Sequence, residues 1–402
     1  MSNLPQELLD HIVDLLHDSQ IPLENCCLVS KSWVPRTRRH IFAEICFQTP
    51  GNLQSWKKTF RDPSTSPARY TKTLFIGGPK VITAEDVSAG SWVRGFSRVV
   101  HLAMVGQGSF ALWRKAAFIQ FRGFSPFIKS LRVTRVAFPS TQFSDLILSF
   151  PLLEDLSVTE CYRYRTLTND GGFTDELSTA IQPSREPVFT GSLELLMRGG
   201  MEHIARQLLS QPGGIHFRKL TWTAFNENHL SLMMALVENC SHTLESLDIT
   251  YDNGASIEHP PPHGSNSLPF PAGRESGSFN LSKAKKLRDV VFRPASLRVE
   301  WITLALQDVT RKSQDLRRIS VNAPCHLTHL GVNECLRQAV GEDVLEEWLD
   351  LDRTLVHLLE SLPIHTNVRW TRRRREGVME DCVGRFFPEM TRRGMVTVNL
   401  VE

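Results

Sequence analysis

The sequence lacks the long hydrophobic segments and the charge excess that mark several large classes of protein. No stretch of the 402 residues approaches 18 consecutive apolar positions, so a membrane-spanning helix is not expected. The first residues contain no basic segment, and Asp10 and Asp14 interrupt their apolar stretch, so a secretory signal is not expected either. The net charge of +3 is too small to indicate nucleic-acid binding.

Signatures of catalysis and of metal binding are also missing. The sequence has no G-x-S-x-G nucleophile elbow, and "GGPK" and "VGQGSF" do not complete a phosphate-binding glycine loop. None of the eight cysteines forms a C-x-x-C pair, so we expect reduced thiols in the cytoplasm or nucleus. "HLTH", with His326 and His329, is more typical of surface or half-buried histidines than of a metal site. We therefore predict no catalytic residue, no metal and no cofactor.

From about residue 70 the sequence repeats a short pattern in which a leucine-like residue precedes another apolar residue by two positions. Six of the eight intervals between these segments measure 25 to 29 residues, which is the range of leucine-rich repeats. Helical segments such as "FSDLILSFPLLE" lie between them. The pattern predicts an α/β fold, a leucine-rich-repeat-like solenoid with a short parallel sheet on its concave side. The nine segments centre on Leu74, Leu102, Leu131, Leu156, Leu195, Leu220, Leu247, Val290 and Ile319.

The repeats are irregular in length and in consensus. The two long intervals contain insertions at about 162–190 and 252–282, and the second is rich in Pro, Gly and Ser, as mobile loops are. The turn asparagine of the leucine-rich consensus is not consistently present, although "SVTEC" and "VENC" place a cysteine in comparable positions. The alternative is therefore an irregular α/β domain whose strands recur by chance. At the C-terminal end, "VLEEWLDLDRTLVHLLESL" and "VMEDCVGRFFPEM" predict helices, and "GMVTVNLV" predicts a last strand that closes the solenoid.

Ahead of the repeats, "LPQELLDHIVDLLHD" predicts a helix with an unusually wide apolar face. A second helix follows and ends near Ser30, and a third contains Pro35 in its first turn. Three helices of about 40 residues bury too little apolar surface to be stable alone. The surplus apolar face therefore packs either on the first repeat, as a cap, or on a partner protein.

The stretch from "LPQELLDHIVDLLHD" to "SKSWVPRTRRHIF" resembles the F-box. That family's pattern is L-P-x-E, an apolar helix, a leucine ahead of L-V-S-[KR]-x-W, and a basic helix that ends in an aromatic residue. The late "EWLDLD" and "RGMVTVNL" are similar to fungal F-box proteins. The resemblance implies an F-box at 1–45 and the solenoid with its cap at 46–402. The matching positions are Leu4, Pro5, Glu7, Leu8, Ile12, Leu15, Leu23, Leu28, Val29, Ser30, Trp33 and Phe42.

The resemblance implies a non-catalytic role as the substrate-recognition subunit of a cullin–RING (SCF-type) ubiquitin ligase. In that family the F-box binds a Skp-type adaptor, which bridges to the cullin scaffold, and the repeats bind a protein substrate. The residues expected to bind the adaptor are Leu4, Pro5, Glu7, Leu8, Ile12, Leu15, Leu23, Val29 and Trp33.

Substrate contacts are expected at the outward positions of the strands, because successive strand side chains point to opposite faces. An alternative function is a ligase-independent scaffold or a nuclear interaction protein. In that case the run Arg372–Arg375 acts as a nuclear-localisation signal or contacts an acidic group, although such runs are usually solvated surface. The outward strand positions are Arg132, Thr134, Ser157, Thr159, Thr221, Thr223, Asp248 and Thr250.

Overall fold

The protein is described from a computed structural model. Its chain divides into two compact units, the first formed by Met1–Phe189 with Leu196–His203 and the second by Thr190–Leu195 with Ile204–Glu402. The structure describes residues 5–16, 20–62, 65–78, 91–106, 111–112, 121, 124, 126–164, 189–196, 201–211, 213–224, 227–251, 281–294, 299–307, 309, 315–323, 342–373, 384 and 386–401.

The first unit begins with three helices and continues with alternating strands and helices. In chain order its elements are α1 (Gln6–Leu15), α2 (Gln20–Val29), α3 (Val34–Ile41), β1 (Glu44–Phe47), α4 (Pro50–Thr59), a 3₁₀ turn (Pro67–Tyr70), β2 (Thr73–Gly77), α5 (Ser91–Arg94), β3 (His101–Val105), β4 (Ala111–Leu112), β5 (Ser130–Thr134), β6 (Val136–Pro139), α6 (Ser140–Leu148), β7 (Asp155–Thr159) and β8 (Tyr162–Tyr164).

The second unit repeats the strand-then-helix order. Its elements are β9 (Ser192–Leu196), α7 (Met201–Leu209), β10 (Lys219–Ala224), α8 (Glu227–Asn239), β11 (Ser246–Tyr251), a 3₁₀ turn (Leu281–Lys283), β12 (Asp289–Pro294), α9 (Glu300–Gln307), β13 (Arg318–Ala323), α10 (Glu342–Ser361), β14 (His365–Arg373), α11 (Pro388–Arg392) and β15 (Val396–Val401). The α7 helix begins at the boundary between the two units.

Every strand pair of the main sheet for which the pairing is known is parallel. In the first unit the order is β1-β2-β3-β5-β7, and β4-β6-β8 form a small separate sheet. In the second unit the order follows the chain from β9 to β15. Parallel strands need a crossover between them, and the intervening helices supply it where they are described. The expected α/β class and the three N-terminal helices are therefore confirmed.

The register explains why the nine sequence segments could be recognised. All nine predicted strands are present, and the apolar residue at the centre of each is at most 2% exposed. Leu102 of β3 lies opposite Leu74 on one side and Leu131 on the other, and Leu247 likewise lies between Leu220 and Val290. Equivalent residues therefore form buried rows across neighbouring strands within each unit, except that on β9 the residue opposite Leu220 is Leu193 and not the predicted centre Leu195, which lies opposite Trp222.

The same backbone contacts recur where successive strands begin. The carbonyl of Lys72, just before β2, accepts hydrogen bonds from the amides of Val100 (2.8 Å) and His101 (2.9 Å) just before and at the start of β3. In the second unit the carbonyl of Arg218 accepts in the same way from Glu245 (2.7 Å) and Ser246 (3.0 Å). This repeated pair of bonds aligns the starts of successive strands with one another.

The ends of three strands share a left-handed backbone residue. Gly78 follows β2 with φ 84°, Arg135 follows β5 with φ 55°, and Glu160 follows β7 with φ 50°. Glycine adopts this conformation without a steric cost, whereas arginine and glutamate do so at some cost. The Arg135 Nε donates to Glu160 Oε2 at 2.5 Å, so an ion pair links the two strained positions.

Some details differ from the sequence expectations. The expected helix "VMEDCVGRFFPEM" does not run through to Met390, because Phe387 has φ −130° and ψ 64° and α11 starts only at Pro388. An additional strand, β1, spans the expected boundary after residue 45. The arginine run begins on β14 at Arg372 and Arg373, and its remainder lies outside the described residues, as do His326 and His329.

Both expected insertions fall largely outside the described residues; the first begins with β8. Within the described segments no helix has the length and apolar character needed to span a membrane.

Candidate functional site

The three N-terminal helices have a small internal core. Val13 of α1 and Leu23 of α2 are 1% and 2% exposed, and Cys26 and Thr37 are also buried. The Thr37 hydroxyl donates to the carbonyl of Trp33 at 2.8 Å, so the buried hydroxyl of α3 is hydrogen-bonded within its own helix. These buried residues hold the three helices together, and the other faces of α1 and α2 remain exposed to solvent.

A charged cluster joins α1 to α3. Asp14 accepts hydrogen bonds from Arg36, whose Nε lies 2.6 Å from Oδ1 and whose Nη2 reaches Oδ2, and it lies 2.7 Å from His40 Nε2. The hydrogen bond from Arg36, with a smaller contribution from His40, holds the pKa of the Asp14 carboxyl well below its usual range. Asp14 therefore stays ionised at any physiological pH and fixes the orientation of α1.

Large apolar side chains lie exposed on α1 and α2. On α1 they occupy positions i, i+4 and i+7, and on α2 positions i, i+7 and i+8, so each set follows one face of its helix. Their exposure reaches 69% at Leu15 and 85% at Leu28. We call these six residues the N-terminal apolar surface: Leu8, Ile12, Leu15, Ile21, Leu28 and Val29.

The expected adaptor-binding residues divide between this surface and the core. Pro5 and Glu7 are exposed at the start of α1, Trp33 is half-buried, and Leu4 lies outside the described residues. Leu23 is buried, so it supports α2 from inside and has almost no surface to offer a partner. Ile21 and Leu28 are exposed but were absent from the expected adaptor-binding set, although their spacing of seven residues is a signal that could have found them.

The outward strand positions are where the alternation predicted them. Arg132 is exposed, and the other seven are half-buried; each follows a buried residue. The register places Arg132 opposite Ser157 and Thr134 opposite Thr159 in the first unit. In the second unit Thr221 lies opposite Asp248, and Thr223 lies opposite Thr250. The eight residues thus form two groups of four, one on each unit.

Asp248, one of these eight residues, forms an ion pair within the sheet. Arg293 of β12 donates to both carboxylate oxygens of Asp248, from Nε at 2.8 Å and from Nη2 at 2.9 Å. The hydrogen bond that Arg293 donates to Asp248 raises the pKa of the Arg293 guanidinium. A bidentate pair of this kind has a defined geometry and holds both side chains against the sheet.

The described residues offer little for metal or thiol chemistry. They contain no group of three or more His, Cys, Asp or Glu side chains that could hold a metal ion. The five described cysteines are free thiols, and burial raises the pKa of both Cys161 and Cys240 to about 12. Such thiols are poor nucleophiles and poor metal ligands at neutral pH.

Comparison with known proteins leaves the family of the chain open. No protein-family model matches the sequence, and no curated protein matches it.

Proposed function

We propose that the protein is the substrate-recognition subunit of an SCF-type cullin–RING ubiquitin ligase. The observation that carries the proposal is the N-terminal apolar surface, six large apolar side chains on two helices of one small unit. Exposed apolar side chains of this size that follow one face of a helix are typical of protein interfaces, since their burial yields roughly 25 cal/mol per Å². The resemblance of the same stretch to the F-box identifies the Skp-type adaptor as the expected partner.

Two apolar helix faces suit a helical partner. An adaptor helix that packs against Leu8 and Ile12 of α1, or against Ile21 and Leu28 of α2, would meet anchors spaced by whole helical turns. The buried residues Val13 and Leu23 would keep these faces in place without contacting the partner. The adaptor would in turn bind the cullin scaffold.

The repeated strands are proposed to form a leucine-rich-repeat-like solenoid that holds a protein substrate. Three regularities support this architecture: the shared register of most of the buried centres, the paired backbone bonds before eight of the strands, and the left-handed residue after three of them. Parallel strands in such a repeat present their outward side chains as a continuous surface. Threonine and serine at these positions can hydrogen-bond an extended peptide.

Co-purification of the full chain with a Skp-type adaptor tests the adaptor contact. We expect the wild type to carry one adaptor per chain and Leu28→Asp, or Leu8→Asp with Ile12→Asp, to lose it. Gln54→Asp is the matched control, because it adds the same charge at an exposed polar position of α4, outside the N-terminal apolar surface. Thermal melts that coincide for all variants would show that the loss does not come from unfolding. A folded wild-type chain that never binds the adaptor would contradict the proposal.

Addition of the cullin separates the ligase from the alternative function. A substrate receptor enters a complex of chain, adaptor and cullin, and the stability of its substrates in cells depends on the outward strand residues. Arg132→Glu with Thr221→Asp should then raise the level of those substrates while adaptor binding is unchanged. A chain that binds the adaptor but never assembles with the cullin would be a ligase-independent scaffold instead.

A further inference from the structure

A cleft of about 670 Å³ in the first unit is lined mainly by basic side chains. It lies where β2, β3 and β5 begin, and the residues just before these strands, Lys72, Val100 and Lys129, all contribute to its wall. We call it the basic cleft. It is separate from the N-terminal apolar surface, none of whose residues lines it.

The backbone explains why distant basic residues meet there. The carbonyl of Lys72 accepts from the amide of Val100, and the carbonyl of Val100 accepts from the amide of Lys129, both at 2.8 Å. Because neighbouring strands are about 4.8 Å apart, these bonds place Lys72 and Lys129 roughly 10 Å apart at the same edge. Arg98 precedes β3 and reaches the same cleft.

Helix α3 and the 3₁₀ turn complete the wall. Arg36, Arg39 and His40 enter the cleft from α3. Arg69 enters from the turn; its guanidinium lies 4.9 Å from the Tyr70 ring centroid, and its Nη2 donates to the Tyr70 hydroxyl at 2.9 Å. Basic groups therefore converge from five places in the first unit: α3, the 3₁₀ turn, and the segments that precede β2, β3 and β5.

Only part of this positive charge is neutralised. Asp14 pairs with Arg36 and His40, and Glu154 pairs with Lys129 at 2.7 Å. Within the described part of the chain, four further basic lining residues make no ion pair: Arg39, Arg69, Lys72 and Arg98.

At the corresponding edge of the second unit, where its strands begin, some of the basic residues pair with acidic ones. There, Arg288 before β12 lies 4.0 Å from Glu245, which precedes β11, and Arg318 lies 3.3 Å from Asp289. Two basic residues at that edge are thus paired with acidic ones, whereas Arg218, Lys219 and Arg317 make no ion pair within the described residues. The basic cleft differs in that its basic residues line one cavity together.

We propose that the basic cleft binds a small ligand that carries two or more phosphate groups. Its volume falls within the range of about 300–1,000 Å³ that is typical of small-molecule sites. Arginine and lysine suit phosphate oxygens, with which they form charge-assisted hydrogen bonds. The half-exposed Phe127 and the partly exposed Leu152 provide an apolar wall for the scaffold that carries the phosphates.

Calorimetric titration of the full chain with inorganic tripolyphosphate tests the proposal. We expect binding at least about tenfold tighter than that of monophosphate, and weaker at 200 mM than at 50 mM salt, because several phosphates are contacted. Lys72→Gln with Arg98→Gln should weaken binding at least about tenfold. Arg38→Gln and Lys58→Gln are the controls, since both residues are exposed and neither lines the basic cleft.

Three results would overturn the proposal. They are absence of tripolyphosphate binding by the wild type, equal weakening by the cleft and control variants, and tight binding of a glutamate-rich peptide that tripolyphosphate does not displace. The last result would assign the basic cleft to an acidic protein segment. If the double variant fails to fold, the adjacent single variants Arg39→Gln and Arg38→Gln decide the outcome, because only Arg39 lines the cleft.

Discussion

The carboxylate of Asp352 binds the backbone at the start of the helix that contains Met390. Its Oδ1 accepts from the amide of Met390 at 3.1 Å, and its Oδ2 accepts from the amide of Glu389 at 2.9 Å. Asp352 is only 1% exposed, and this burial raises the pKa of its carboxyl. The first amides of a helix have no partner within the helix, so a side chain of α10 supplies one to α11.

We expect Asp352→Ala to be strongly destabilising. It leaves two amides without a partner, each at a cost of about 1–3 kcal/mol, so a loss of about 2–4 kcal/mol in the free energy of unfolding is expected. Asp350→Ala, two positions earlier on the exposed side of α10, should cost less than about 1 kcal/mol. Urea unfolding followed by tryptophan fluorescence measures both. Equal losses would show that the capping bonds contribute little.

Glu347 of the same helix caps a different neighbour. Its Oε2 accepts from the amides of Val299 at 2.9 Å and Glu300 at 3.3 Å, at the start of α9. We expect Glu347→Ala to cost about 1 kcal/mol, as the loss of a helix cap usually does. Glu346→Ala removes only an exposed pair with Arg353 and should change stability by less than about 0.5 kcal/mol. A larger loss for Glu346→Ala would contradict the assignment.

Substitution of Leu23 should destabilise the chain far more than substitution of Leu28, although both residues lie on α2. Leu23 is 2% exposed and Leu28 is 85% exposed. We expect Leu23→Ala to lower the free energy of unfolding by about 2–4 kcal/mol, whereas Leu28→Ala should lower it by less than about 0.5 kcal/mol. Thermal melts of the free chain test this pair. A large destabilisation by Leu28→Ala would mean that Leu28 packs within the chain, as a helix that caps the first repeat requires.

This contrast in burial between Leu23 and Leu28 could not be predicted from the sequence. Leu23 and Leu28 both match the F-box pattern, and a pattern records which positions are apolar without deciding which ones a three-helix unit buries. The strands were easier to predict, because a buried centre such as Leu247 recurs at a nearly constant interval with alternating neighbours. Periodicity of this kind survives even when the repeats are irregular.

The basic cleft was not predictable for a related reason. Its wall joins Arg36 to Lys129, residues 93 positions apart, and nothing local in the sequence pairs them. Only the parallel register brings the residues that precede β2, β3 and β5 to one edge. The capping roles of Glu347 and Asp352 were hidden in the same way, inside a segment recognised only as an amphipathic helix.

The contact between Asp14 and Arg36 should make the attachment of α1 sensitive to strong acid. Because the folded chain lowers the pKa of Asp14 below the ordinary value of 3.8, its stabilising contribution is present above that pH. The contribution is lost as the pH falls further, through the pKa of the folded state. Asp14→Asn should therefore lower the melting temperature at pH 7, and the difference from the wild type should shrink below pH 3.8.

Circular dichroism at pH 7 and at pH 2.5 tests this prediction, with Asp10→Asn as the control. Asp10 accepts a hydrogen bond from Gln6 within α1 at 2.8 Å, so its removal leaves the contact between the helices intact. A melting difference for Asp14→Asn that is the same at both pH values would show that ionisation of Asp14 does not matter.

Cys161 follows β7, and its buried thiol lies close to backbone carbonyls near the ends of two neighbouring strands. Its Sγ lies 3.3 Å from the carbonyl oxygen of Thr159 and 3.4 Å from that of Val133 on the neighbouring strand. Burial also raises its pKa to about 12, so almost none of it is thiolate at pH 8. Cys46 of β1, by contrast, is exposed.

Iodoacetamide at pH 8 should therefore modify Cys46 at least about 100-fold faster than Cys161 in the folded chain. Peptide mass spectrometry after timed quenching resolves the two sites, and in urea the rates should converge, because unfolding removes the burial that protects Cys161. Cys240, whose pKa is raised in the same way, should behave like Cys161. Rapid modification of Cys161 in the folded chain would show that the end of β7 opens readily, and the thiol could not then be a fixed part of the turn.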